Sequence, residues 1–270
     1  DRPLSRGLGD VYKRQAYCFA NVDGYQRIGS YVGTASTGPF VYTGFEPAWL
    51  MIKEASNTGN WLIYDNKRDT VNPNNVVLAP NSSNAESSYS SGYNINFHTN
   101  GFEIAESSSN DLNTSGSTYI FMAIAANPDT TAPTEANSFK TKLYTGNGGN
   151  RSITGTGFKP DWVWIKKRSS ATSSDHMIFD SVRGADKVII SNSTGAEYNG
   201  GGTGYQPSFN NDGFSLTSNA FVNQSGQTFV AWCWKALDHD RNLTAINNDG
   251  TIPSIVLSLI HISEPTRQWS

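Results

Sequence analysis

Charged side chains are scarce in this 270-residue chain, at 16% of the total, and the net charge is -3. The weak acidic balance excludes the basic stripe that a nucleic-acid surface requires, so no nucleic-acid partner is expected. Only two cysteines occur, Cys18 and Cys233, which excludes a disulfide framework. Apolar runs are short. None approaches the roughly 18 residues that a membrane-spanning helix needs, so no membrane partner is expected. Aromatics, at 12%, are too many for a disordered chain. With 25 glycines and abundant Ser, Thr and Asn, they point to short strands joined by many turns.

Both ends differ from the middle. One DNA sequence encodes Ser5–Gln15 (SRGLGDVYKRQ), and its reverse complement encodes Leu257–Arg267 (LSLIHISEPTR). It resembles the transposase adapter used to prepare sequencing libraries. Residues 1–15 and 257–270 are therefore read as adapter-derived and set aside from fold reasoning. The remainder, Ala16–Val256, reads as an internal fragment of a longer chain.

That remainder is a tandem repeat with a period of about 110–115 residues. YTGFEPAWLMIKEASNTGNWLIYDNKRD from Tyr42 aligns with GTGFKPDWVWIKKRSSATSSDHMIFDSVRG from Gly155. NVVLAPNSSNAE then matches KVIISNSTGAE, and the C-terminal thirds align through FMAIAA and AWCWKA. AYCFA at Ala16 matches AWCWKA at Ala231, so residues 16–24 read as the last strand of a preceding repeat. Repeat 1 spans 25–126 and repeat 2 spans 139–236, joined by a Pro/Thr-rich linker at 127–138. Residues 237–256 begin a third repeat. Cys18, Ala123 and Cys233 fall at one repeat position, where a small buried core residue explains all three.

Each repeat contains five or six short aromatic and β-branched runs and no helical period. Asn100-Gly101 and Asp212-Gly213 are hairpin signals. The expected fold is all-β, a tandem of β-sandwiches, with strands such as DWVWIKK buried on both faces.

The set GF-P-WVWIK, FDSVRG, SN-T-AE, DGF and SGQTFVAWCWKA resembles a repeated domain in structural proteins of marine tailed phages. The resemblance covers most of Tyr25–Ala236 and implies a concanavalin-like jelly roll. It implies a virion structural protein, from a tail fibre or a capsid decoration, localised to the phage particle. Other virion proteins and further copies of the chain are its implied partners. The mechanism expected is mechanical display by rigid modules in series. The alternative is a carbohydrate-binding adhesin recognising host surface glycan.

No enzyme is expected. His98 and His176 fall at different repeat positions, and neither lies beside a nucleophile elbow. The glycine turns lack the dense oxygen set that calcium requires, so no metal and no cofactor is expected. Asp65/Arg68 and Asp180/Arg183 recur in both copies. Side chains three apart on an extended strand point to opposite faces, so each pair meets only if the chain turns after the Asp. A structural ion pair is the expected role. Trp162, Trp164, Trp232 and Trp234 are the candidates for stacking on a glycan.

Overall fold

A computed structural model describes residues 17–89, 91–106, 111–126, 138–169, 174–199, 204–205 and 208–235. The adapter-like ends, the head of the third repeat and the linker short of Ser138 lie outside these residues.

Repeat 1 forms β1 (Gln26–Val32), β2 (Phe40–Tyr42), β3 (Pro47–Glu54), β4 (Trp61–Asp65), β5 (Val76–Val77), β6 (Ser87–Ser88), β7 (Ile95–His98), β8 (Gly101–Ile104) and β9 (Thr118–Ala125). Repeat 2 forms β10 (Phe139–Thr145), β11 (Arg151–Thr154), β12 (Trp162–Lys167), β13 (Met177–Asp180), β14 (Lys187–Ile190), β15 (Tyr198–Asn199), β16 (Ser208–Asn210), β17 (Gly213–Leu216) and β18 (Thr228–Trp234). The two sets pair alike except that β5-β6 stands as a separate two-stranded sheet in repeat 1, joined to β4 only by the Ile63–Leu78 bridge, where β14-β15 extends the large sheet of repeat 2. The large sheet runs β1-β9-β3-β4 in repeat 1 and β10-β18-β12-β13-β14-β15 in repeat 2. The small sheet runs β2-β8-β7 and β11-β17-β16. All pairings are antiparallel. The fold is all-β and of sandwich type, as the sequence predicts. Among the described residues one helical turn interrupts it, α1 at Ala220–Asn223, where the Asn219 side chain accepts from the Phe221 amide at 2.8 Å.

Strand periodicity assigns each side chain to a face. In repeat 1, Leu50, Ile52, Leu62, Tyr64, Phe121 and Ala123 point inward and meet Val41, Ile95, Phe97, Phe102 and Ile104 of the small sheet. In repeat 2, Val163, Ile165, Phe179, Phe229, Ala231 and Cys233 meet Ile153, Phe214 and Leu216. Each sandwich thus has its own core. A third apolar cluster joins the outer faces of the two large sheets: Trp49, Ile63, Leu78, Met122 and Ile124 against Trp162, Trp164, Ile178, Val230, Trp232 and Trp234. With Trp162 and Trp164 in that cluster and Val163 and Ile165 in the inner core, every residue of β12 is buried.

Two expectations need correction. Ala123 and Cys233 are fully buried, but Cys18 is exposed. The segment carrying Cys18 lays Tyr17 and Phe19 on Trp162 of repeat 2, which turns the intervening Cys18 away to solvent. The hairpin glycines also act for a different reason. Pairing of His98 with Gly101 and of Asn210 with Gly213 leaves Thr99-Asn100 and Asn211-Asp212 as the turn residues. The glycines open the next strand instead. A Cβ at Gly101 would lie 2.2 Å from the Val41 carbonyl oxygen, and one at Gly213 only 1.9 Å from that of Ile153. Close approach of the neighbouring strand therefore requires glycine.

Candidate functional site

Asp65 ends β4 and Asp180 ends β13, and the chain turns after each. Asp65 Oδ1 accepts from the amides of Lys67 at 3.1 Å and Arg68 at 2.9 Å. Asp180 Oδ1 accepts from Val182 at 3.1 Å and Arg183 at 2.8 Å. These are side-chain-closed turns of the kind Asp favours. The other oxygen, Oδ2, takes the arginine Nε at 2.6 Å in repeat 1 and 2.5 Å in repeat 2. Each guanidinium then reaches a strand carbonyl, Arg68 that of Ile63 at 2.9 Å and Arg183 that of Ile178 at 3.2 Å. Every partner in one copy has its counterpart in the other.

The same Oδ2 atom receives a second donor from elsewhere in the chain. Trp232 Nε1 donates to Asp65 Oδ2 at 3.1 Å, and Tyr17 Oη donates to Asp180 Oδ2 at 2.9 Å. The turn that pins each sandwich is thereby tied to the aromatic layer between sandwiches. Burial and the adjacent Asp180 carboxylate push the Tyr17 phenol far above its usual value, so it stays a donor.

The four candidate glycan-stacking tryptophans are in this layer. Trp162 and Trp164 are 5% and 6% exposed, and Trp232 and Trp234 are fully buried. None offers a free ring face, which corrects the expectation that they stack on sugars. Trp234 lies edge-on to Trp49, with ring centres 5.6 Å apart at 90°, and Trp232 lies 5.6 Å from Trp164 at 82°. Edge-to-face geometry of this kind is favourable beyond the area it buries. Arg68 lies over the Trp232 ring at 5.7 Å.

Polar contacts border the aromatic layer. Glu86, in the loop before β6, bridges its own Arg68 at 3.6 Å and Arg168 of repeat 2 at 2.7 Å. Its repeat counterpart Glu197 pairs with Arg183 and Lys187 of its own repeat. Lys166 Nζ donates to the Ser83 carbonyl at 2.8 Å and to that of Ser174. Burial lowers the Lys166 ammonium to about 8.

His176 is fully buried and accepts the Trp164 Nε1 proton on Nδ1 at 2.9 Å. Burial, and next the nearby Lys166 charge, hold its pKa well below the usual 6.5. The unfolded chain therefore binds a proton near pH 6.5 that the folded chain refuses. Stability from this group is complete above pH 6.5 and is lost as the pH falls, by up to about 1.4 kcal/mol per pH unit. Urea midpoints measured from pH 7.5 to 5 should fall accordingly. His176→Asn, which keeps an acceptor for the indole, should flatten that dependence; an unchanged slope would exclude His176 as its source.

A cleft of about 110 Å3 lies elsewhere in repeat 1, lined by residues including Asn60, Ser82, Asn84, Tyr89 and Tyr93. The rings of Tyr89 and Tyr93 are 4.3 Å apart, and Tyr93 Oη donates to Asp111 at 3.0 Å. Sequence reasoning missed it, although Ser91-Gly92-Tyr93 recurs as Thr203-Gly204-Tyr205. Among the described residues no group of His, Cys, Asp and Glu is placed to hold a metal ion.

A family model described as a domain of unknown function (DUF7483) matches residues 9–128 and again 134–260. No curated protein and no solved structure matches the chain.

Proposed function

We propose, for a chain that belongs to the DUF7483 family in two tandem copies, that it is a structural assembly module whose sandwiches pack face to face. The observation that carries this reading is the use of the outer sheet face. Trp232 and Trp234 of repeat 2 pack on Trp49 of repeat 1, Trp164 lies with them in the same inter-sheet cluster, and Trp162 takes Tyr17 and Phe19 of the preceding segment. Such a pair is stiffer than beads on a linker, because it is held by an apolar core with a polar border. Stiff paired modules suit a load-bearing particle, and the motif resemblance to tailed-phage structural proteins supports a phage particle. The proposed role is therefore a virion structural protein of a tail fibre or capsid decoration. Peptide mass spectrometry of density-purified phage particles from a community carrying the gene should find this protein at structural abundance. Its absence from particles would overturn the virion role.

A second reading, glycan binding, is favoured by the Tyr89–Tyr93 cleft. An exposed Tyr89 ring against a half-buried Tyr93, beside side-chain amides and hydroxyls, has the chemistry to hold a sugar: apolar ring face for C–H groups, polar atoms for hydroxyls. A glycan array probed with the whole chain separates the two readings. Silence supports the structural role, and saturable binding to one sugar class that Tyr89→Ala removes supports the adhesin.

A further inference from the structure

Tyr17 and Phe19 treat repeat 2 as Trp232 and Trp234 treat repeat 1. Trp232 and Trp234 pack on Trp49, at ring separations of 6.4 and 5.6 Å, and Trp232 donates to Asp65 Oδ2. Tyr17 and Phe19 pack on Trp162, at 4.8 and 5.6 Å, and Tyr17 donates to Asp180 Oδ2. The acceptors are repeat equivalents, since Trp49 pairs across the ladder with Asp65 and Trp162 with Asp180. The donors are equivalent by sequence, AYCFA against AWCWKA.

The ladder also explains why a second donor is needed. Met122 and Ile124 of β9 stand where β18 has Trp232 and Trp234, because Ile124 pairs with Trp49 as Trp234 pairs with Trp162. Repeat 1 thus has the acceptor but lacks the aromatic donor. The segment before β1 delivers two aromatics to the acceptor that β9 leaves unserved. Cys18, between them, points away and is exposed, whereas Cys233 points into its own sandwich core.

We propose that Trp162, Asp180 and Arg183 form a docking site for the closing strand of another copy of this repeat, read as aromatic-x-aromatic, and that Tyr17–Phe19 occupies it in that capacity. Rings at alternate positions lie on one face of an extended strand. The first carries an N–H or O–H that reaches the carboxylate, and the second covers the tryptophan. Arg183 holds the carboxylate in place, and its Nη2 lies 3.3 Å from Tyr17 Oη. The proposal deepens the reading of the chain as an assembly module, by naming what holds one repeat to the next.

Two measurements test it. The full chain carrying Tyr17→Ala and Phe19→Ala should bind a peptide of residues 16–20 saturably. The unaltered chain, with its site filled, should bind that peptide at least tenfold more weakly. The same peptide with Phe for Tyr17 should bind the variant about tenfold more weakly, having lost a hydrogen bond to a charged acceptor. The second measurement needs no emptied site. Tyr17→Trp in the full chain should keep the unfolding midpoint, because an indole N–H serves at the equivalent position, and Tyr17→Phe should lower it. No peptide binding by a folded variant, or equal losses from Trp and Phe at position 17, would overturn the docking site. Neither result depends on whether the protein is found in phage particles.

Discussion

Trp232→Ala should cost about 3–5 kcal/mol, the range for deleting a large buried aromatic. Trp232 is fully buried between the two large sheets. Its loss removes the edge contacts to Trp49 and Trp164, the indole donor to Asp65 and the ring beneath Arg68. The diagnostic feature is where the loss appears. Hydrogen exchange should quicken in β3 and β4 of repeat 1, although the substitution lies in β18 of repeat 2. Trp232→Phe keeps most of the ring and removes the N–H, so it should cost less. Urea unfolding with exchange mass spectrometry reads both quantities. A loss confined to repeat 2 would mean that the sandwiches do not share this core.

Asp65→Ala should have an effect of similar size, about 3–5 kcal/mol, because it leaves a buried cation without its hydrogen-bonded carboxylate. The side chains of Asp65 and Arg68 are both fully buried. Arg68 Nη1 makes no hydrogen bond among the described residues and has only the 3.6 Å contact with Glu86, so Asp65 is the main group that makes the guanidinium tolerable there. Removing the carboxylate also opens the turn amides at Lys67 and Arg68 and strands the Trp232 indole N–H. Asp180→Ala should act in the same direction but less, since Arg183 is 9% exposed and retains Glu197. Replacing Asp65 and Arg68 together by Leu and Met should recover part of the loss, because no unpaired charge remains. Chemical denaturation of the single and double variants measures this. A double variant as unstable as Asp65→Ala would show that the turn amides, not the arginine, set the cost.

The aromatic layer also explains why the two copies have diverged. Repeat 2 has four tryptophans on its outer face, where repeat 1 has Trp49, Met51, Met122 and Ile124. Two identical tryptophan faces would crowd the space between the sheets. Large against smaller side chains interdigitate, as cores require.

Much of this was legible in the chain itself. Local spacing determined the strands, because alternation assigns side chains to faces and nothing distant is needed to read it. Recurrence at one period determined that there are two copies of one sandwich and that Asp65/Arg68 and Asp180/Arg183 do the same work. The double apolar pattern of Trp162–Lys167 even announced burial on both faces. It did not say what covers the second face. A free tryptophan face, a sugar-stacking platform and an inter-repeat core have the same period-two pattern, and only the seating of one sheet against the other separates them. The Trp232 bond to Asp65 joins residues 167 positions apart, and the Tyr17 bond to Asp180 spans 163. No local propensity records such a contact. Gly101 and Gly213 likewise read as turn residues from their neighbours in sequence, while their need for glycine comes from the carbonyls of Val41 and Ile153 on another strand. The sequence by itself determined the repeating unit and its inner core; the tertiary structure alone decided which outer faces meet, because that depends on side chains brought together from opposite ends of the chain.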